Sequence, residues 1–257
     1  IGSYQSIGRF GITDVYLGGS EVQKGYFPSS PSNPSLKWET TAQINIGTDV
    51  SLLNERIQFN IDYYVKTTSD LLNPVMVPIS NGGFTSMLGN NGKIENRGWE
   101  FFIRSTNIQK PNFVWTSTLN LARNKNKVLE LNEGEARFSS ISPQGWYNYE
   151  EYSILQEGRA LSTLYGYVFD GIIQTGETYS AQPNSIAGDP KFKDVDLDGT
   201  ITPKDRTDIG DGNPDVIFGL TNSFKIYDFD FSFSFDGSYG NELLNISRLM
   251  LEEEGRL

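Results

Sequence analysis

From residue 40 onward the chain alternates oily and polar positions. Ala42, Ile44, Ile46 and Val50 are separated by Gln43, Asn45, Gly47 and Asp49. Ile57, Phe59, Ile61, Tyr63 and Val65 are separated by Gln58, Asn60, Asp62 and Tyr64. A period of two puts the two sets on opposite faces of a β-strand. The polar break Leu53-Asn54 between the arms reads as a two-residue hairpin loop. That loop predicts Val50 opposite Ile57, Ile46 opposite Ile61 and Ala42 opposite Val65. One face of the hairpin is then apolar and the other polar. Each arm is about twice the usual strand length of roughly five or six residues.

The same pattern returns four times. Residues 93–106 carry Trp99, Phe101 and Ile103 on one face, and residues 113–123 carry Phe113, Trp115, Leu119 and Leu121. Residues 215–226 carry Val216, Phe218, Leu220 and Phe224, and residues 229–235 alternate Phe with Asp and Ser. A turn at Tyr227-Asp228 predicts Phe224 opposite Phe231 and Leu220 opposite Phe235. Breaks at 53–54, 107–112 and 227–228 are short. Those at 11–37 and 70–92 read as long loops, and 124–214 shows little regular pattern. Short and long breaks therefore alternate, which puts all short turns at one end of an antiparallel sheet. Outer-membrane barrels have this asymmetry, with short periplasmic turns and long extracellular loops.

The pattern predicts an all-β chain, 1–257, that is part of a large antiparallel transmembrane β-barrel with about six complete spanning strands. Region 124–214 is expected to be a long extracellular loop. Ile44, Ile46, Ile57, Phe59, Ile61, Phe101, Trp115, Leu119, Phe218, Leu220, Phe231 and Phe233 are expected to face lipid. Gln43, Asn45, Asp62 and Asn120 are expected to face a lumen. The competing reading is a soluble glycan-binding β-sandwich with a structural calcium, which would bury its oily face against a second sheet.

Composition narrows the chemistry. The 257 residues contain no Cys and no His, with 26 Gly, 16 Phe and 13 Tyr. Disulfides, thiolate sites, the Ser-His-Asp triad and most zinc sites are thereby excluded. A formal net charge of −11 argues against a nucleic-acid partner. No apolar run reaches the roughly 18 residues of a membrane helix, and a barrel strand would not show one. The opening IGSYQSIGRFGI carries no signal peptide and reads as the interior of a longer chain.

Several segments resemble the SusC/RagA family of TonB-dependent outer-membrane transporters. They are NPSLKWETTAQINIGTDVSLLNERIQFNIDYYVKTTSDLL at 33–72, NNGKIENRGWEFFI at 90–103, FVWTSTLNLARNKNKVLEL at 113–131 and LYGYVFDGIIQ at 164–174. Segments 188–224 and 229–245 continue the match in the family's order. The resemblance implies a 22-stranded barrel with an N-terminal plug, of which this is a C-terminal part. It implies import of oligosaccharides or peptides under a SusD-like surface lipoprotein, TonB as the energy source acting through an N-terminal region, and a homodimer of the transporter complex. The plug and TonB box are not among these residues, so the segment alone is not expected to transport.

Two motifs stand apart from the wall. Asp194, Asp196 and Asp198, then Gly199, Thr200 and Asp205, follow the calcium-loop pattern, with acids at positions 1, 3, 5 and 12 and Gly at 6. The expected ligands are the three side chains, the Thr200 backbone carbonyl and the Asp205 carboxylate, and the expected cofactor is a structural Ca²⁺. A solvated acidic turn held by Asx hydrogen bonds is the bland alternative. Trp146, Tyr147, Tyr149 and Tyr152 could stack on cargo or on a lid. With Tyr165 and Tyr167 they could equally form the internal core that a long ordered loop needs. A glycosidase would need two carboxylates about 5–5.5 or 6.5–9.5 Å apart across a sugar. No carboxylate here sits in an evident apolar pocket, and the chain is not expected to be an enzyme.

Overall fold

The computed structural model describes residues 6–15, 22–80, 83–131, 136–140, 151–245 and 247. Taken in order, Arg9–Val15 (β1) pairs with Gln23–Ser30 (β2), and Thr40–Leu52 (β3) pairs with Ile57–Ser69 (β4). Leu72–Met76 (β5) pairs with Ser86–Asn90 (β6). Lys93–Lys110 (β7) and Phe113–Glu130 (β8) form the longest hairpin. Arg137–Ser140 (β9), Glu151–Leu155 (β10) and Thr163–Gly166 (β11) precede a small hairpin of Phe169–Ile172 (β12) and Pro190–Phe192 (β13). Thr207–Asp211 (β14), Val216–Ile226 (β15) and Phe229–Tyr239 (β16) are the last strands among the described residues.

The wall is a six-stranded antiparallel sheet in the order β16-β15-β8-β7-β4-β3. It is built from the six strands that the alternation predicts. One ladder row runs Val50, Phe59, Ile103, Leu119, Leu220 and Phe235 across all six. The next runs Thr48, Ile61, Phe101, Leu121, Phe218 and Gly237. All twelve residues expected to face lipid share this side. The side is open: Ile44, Ile46 and Phe231 are 67%, 69% and 59% exposed. A sandwich would cover these side chains with a second sheet, so the sandwich reading is set aside. Within the six strands the sheet is open, with β3 and β16 at its edges.

One polar chain lies on the apolar side near the short turns. Trp115 Nε1 and Ser117 Oγ both donate to Asn222 Oδ1, at 3.0 and 2.6 Å. Asn107 Nδ2 donates to Ser117 Oγ, and Ser105 Oγ to Asn107 Oδ1. The groups satisfy one another, as a polar side chain facing hydrocarbon must.

Three expectations change. The first hairpin is closed by four residues, 53–56, so that Leu52 meets Ile57, Val50 meets Phe59 and Ile46 meets Tyr63. The pairing predicted from a two-residue loop would set Glu55 opposite Leu52 on the oily face. Instead Leu53, Asn54 and Glu55 adopt positive φ, and the Arg56 guanidinium donates to the carbonyls of Thr106 and Asn107. Second, β7 and β8 run to Lys110 and Glu130, leaving only Pro111 and Asn112 as their turn. Region 124–214 thus begins as strand. Third, 11–37 and 70–92 are not irregular loops, because they contain the β1–β2 and β5–β6 hairpins. The turn at Tyr227-Asp228 and its register are as predicted, with Phe224 opposite Phe231 and Leu220 opposite Phe235.

A spanning strand needs about 9–11 tilted residues. At 18 residues each, β7 and β8 exceed that, and the excess at the long-loop end carries the rest of the fold. There β9, β10, β11 and β14 make a four-stranded sheet.

Candidate functional site

The polar face of the wall is the first element of the site. Asp49, Asn60, Phe102, Asn120, Gly219 and Asp236 form one row on it, and Gly47, Asp62, Glu100 and Ala122 belong to the next. Gln43, Asn45, Asp62 and Asn120 all lie on this side. A recess of about 840 Å³ lies against it, with Asn60, Glu100, Phe102, Asn120 and Asp236 in its lining. Such a surface offers hydrogen bonds to water or to a polar solute without fixing one.

Higher up, the same face mounts the loop region. Tyr64 OH donates to Asn124 Oδ1 at 3.0 Å, and Asn126 Nδ2 to Asn96 Oδ1 at 2.9 Å. Leu161 N donates to Asn126 Oδ1, Val128 N to the Arg159 carbonyl and Leu131 N to Glu157 Oε1. Val128 is fully buried under this contact. The residues responsible, Asn124 and Asn126, belong to RNKNK, which continues the two-residue period with amides and cations in place of oily residues. That pattern is visible in the sequence, but with no oily residues in it the alternation does not by itself distinguish strand from loop.

Arg206 organises the four-stranded sheet. Its guanidinium lies 5.6 Å from the Phe138 ring centroid and 5.2 Å from that of Tyr165. It is paired with Glu151 at 2.9 Å. Arg159 approaches Tyr165 at 5.1 Å and is paired with Asp208. Tyr165 and Tyr167, the latter 5.2 Å from Phe192, thus serve internal packing. Tyr152 lies in β10. Trp146, Tyr147 and Tyr149 lie outside the described residues. Nothing in the local sequence distinguishes Arg206 from a surface arginine, because its partners are 41 to 68 positions away.

The aspartate loop sits directly before Arg206. Asp194, Asp196 and Asp198 each present a carboxylate oxygen, and these oxygens lie within 4.8 Å of one another. Gly199 N donates to Asp194 Oδ2, Asp198 N to Asp196 Oδ1 and Thr200 N to Asp198 Oδ1. Leu197 and Gly199, at φ of +60° and +86°, make the sharp bend. Asp194 Oδ1 is buried without a hydrogen-bond partner. Asp205 is fully buried beneath the three and is not part of their cluster. Its oxygens accept from Thr202 N at 2.7 Å and Val195 N at 2.8 Å. These backbone N–H groups, Thr202 first, hold its carboxyl below the ordinary range, against the opposing effect of burial. Ile201 N donates to the Ala181 carbonyl, which ties the loop to its neighbour.

The family model described as "TonB dependent receptor-like, beta-barrel" matches residues 2–185. The chain is similar to TonB-dependent receptor P3 of Formosa agariphila, 36% identical over 255 residues, covering 98% of this chain and 25% of that protein. It is similar to TonB-dependent receptor SusC of Bacteroides thetaiotaomicron, 31% identical over 221 residues, covering 84% of this chain and 21% of that one. Among solved structures, the RagAB peptide transporter superposes with a TM-score of 0.70 at 21% identity, over 94% of this chain and 25% of its own. The chain therefore spans about a quarter of the length of these relatives.

Proposed function

Because the chain belongs to the TonB-dependent receptor-like β-barrel family, we propose that it forms the wall of an outer-membrane importer of oligosaccharides or peptides. The observation that carries this reading is the six-stranded sheet with one uncovered apolar side and one polar side. Lipid meets the first and the transport passage the second. Phe102 and the amides of Asn60 and Asn120 stand along that passage. The long-loop end faces the outside, where a SusD-like lipoprotein acts as lid, and TonB engages an N-terminal region outside these residues. Two such complexes form the homodimer. SusC is named a TonB-dependent receptor and RagAB a peptide transporter, and those names support this class of function.

The test uses the full transporter in cells. Leu197→Cys, on the aspartate loop, should react with an impermeant thiol reagent in intact cells, and Asn54→Cys only after the outer membrane is opened. Uptake of a labelled oligosaccharide or peptide library should stop when TonB is deleted. Labelling in the reverse order, or uptake indifferent to TonB, would refute the reading.

The aspartate loop is proposed to hold a structural Ca²⁺. Asp194, Asp196 and Asp198 supply side-chain oxygens and Thr200 its backbone carbonyl. Asp205, whose oxygens accept from Val195 and Thr202, closes the site by releasing one of those backbone N–H groups. Support comes from the gathered oxygens and from the unpartnered Asp194 Oδ1. Three carboxylates this close repel one another, and a divalent cation removes the repulsion. Oxygen ligands at about 2.3–2.6 Å from a bound ion would bear this out. Proteolysis of 194–205 that ignores chelator would refute it.

A further inference from the structure

The apolar side of the wall does not end abruptly at the long-loop end. Three successive rows there are Tyr63–Trp99–Arg123, Val65–Arg97–Lys125 and Thr67–Glu95–Lys127. All nine residues share the lipid side, since they continue the alternation of Ile61, Phe101 and Leu121. The grid holds four cations and one carboxylate, in a chain whose net charge is −11. Arg123, Lys125 and Lys127 are exposed and make no ion pair or side-chain hydrogen bond among the described residues. Arg97 is 56% exposed at the side chain and reaches Glu95 only at 3.9 Å. Beside Arg123 and one row below Arg97 and Lys125, Trp99, 55% exposed, packs on Tyr63 with ring centroids 4.7 Å apart. Aromatic rings of this kind lie at the boundary between hydrocarbon and headgroups.

The opposite side of the same strands is already occupied. Asn96, Asn124 and Asn126 bond one another there, and the 157–161 segment rests on them. The cations therefore do not serve the passage or the loop sheet. They project outward, just above the oily band, where long Lys and Arg stems lie along apolar surface and carry their charges to the headgroup level.

We propose that Arg97, Arg123, Lys125 and Lys127, beside and above Tyr63 and Trp99, bind the phosphate groups of an anionic membrane lipid. Its acyl chains lie on Ile61, Phe101 and Leu121 directly below. Continuity with the oily band selects a lipid over a free anion, which would make no use of the rings or the band. The proposal rests on the wall reading given above.

The experiment uses the full transporter in phosphatidylcholine nanodiscs, titrated with diphosphorylated lipid A and read by native mass spectrometry. The variant is Arg97→Gln, Arg123→Gln, Lys125→Gln and Lys127→Gln combined. Each cation near an anionic lipid surface contributes about a fivefold gain, so the variant should bind more weakly by about a hundredfold or more. A companion variant that exchanges each Arg for Lys and each Lys for Arg should keep most of the binding. Heat-modifiable gel mobility establishes that both variants are folded. Equal binding by the Gln variant would overturn the proposal, and so would full displacement of lipid A by millimolar inorganic phosphate. A lipid-borne quencher reaching a fluorophore at Leu220→Cys reports separately on the wall. If quenching persists while lipid A binding is indifferent to the four cations, this site fails and the wall reading stands. If quenching is absent, the wall reading fails with it.

Discussion

The wall and the loop region solve the same problem by different means. Both must satisfy backbone hydrogen bonds and dispose of apolar surface. The wall does so with long ladders, in which β7 and β8 pair almost without interruption over 18 residues each. Its oily side chains need no protein partner, because lipid takes that place. Among the described residues from 131 to 214 the strands are three to five residues long, and they have no lipid to lean on. This region holds together through specific contacts: Arg206 between Phe138 and Tyr165, Asp205 under the backbone of 195–202, and Ile154, Ile173 and Ala181 buried. A regular ladder tolerates many side chains provided the alternation is kept. A small irregular body depends on a few.

That contrast can be broken or sharpened by substitution. The largest effect is expected in the wall. Leu119→Arg, in the middle of the all-apolar row, should destabilise the folded barrel in vesicles by about 2–4 kcal/mol. Its neighbour Asn120→Arg, one residue along on the polar side, should change stability by less than about 0.5 kcal/mol. Urea titration of both variants checks the pair, and equal effects would mean that the two sides are not lipid and water.

A middle-sized effect is expected at Arg206. Arg206→Met removes charge-assisted hydrogen bonds to Glu151, typically worth about 1.5–3 kcal/mol. Hydrogen exchange should accelerate at the amides of β10 and β14 and stay unchanged in β8. Acceleration in β8 as well would show that the two regions unfold together.

A third test is acidification. The Asp205 carboxyl titrates below its ordinary value near 3.8. A group depressed on folding contributes fully above its unfolded value and loses that contribution as pH falls through the lower folded one. The 194–205 loop should therefore resist protease at pH 5 and open progressively below about pH 4, ahead of the wall. Asp205→Asn should be open at both. A small gain is expected at Tyr227, held at φ +52°. Tyr227→Asn should stabilise the β15–β16 hairpin by less than about 1 kcal/mol, because Asn tolerates the left-handed region better. Thermal denaturation of the folded barrel would register the gain.

The aspartate loop illustrates how far local pattern reaches. Asp194, Asp196, Asp198 and Gly199 were legible because all lie within a few residues and the backbone turns them inward. The burial of Asp205 beneath them was not, since it depends on Thr202 and Val195 presenting their N–H groups from both sides. Arg206 was invisible for a related reason: its partners Phe138, Glu151 and Tyr165 are brought near only when β9, β10, β11 and β14 align.

By itself the sequence determined which residues share a face, that six strands make the wall and at which end the short turns lie. Side-chain direction in a strand depends only on parity, so neighbours in sequence suffice. It did not determine the register of the first hairpin. Sliding β3 against β4 by one pair on each strand leaves every face unchanged, and the alternation is silent between the two. The choice fell to the 53–56 turn, where Arg56 reaches carbonyls of the next hairpin and Glu55 leaves the oily side. Nor did it determine that β8 continues through Arg123, Lys125 and Lys127. Without oily residues the period of two carries little weight. Only pairing with β7 on one side, and packing of 157–161 on the polar face, hold those residues in the ladder and turn their cations outward.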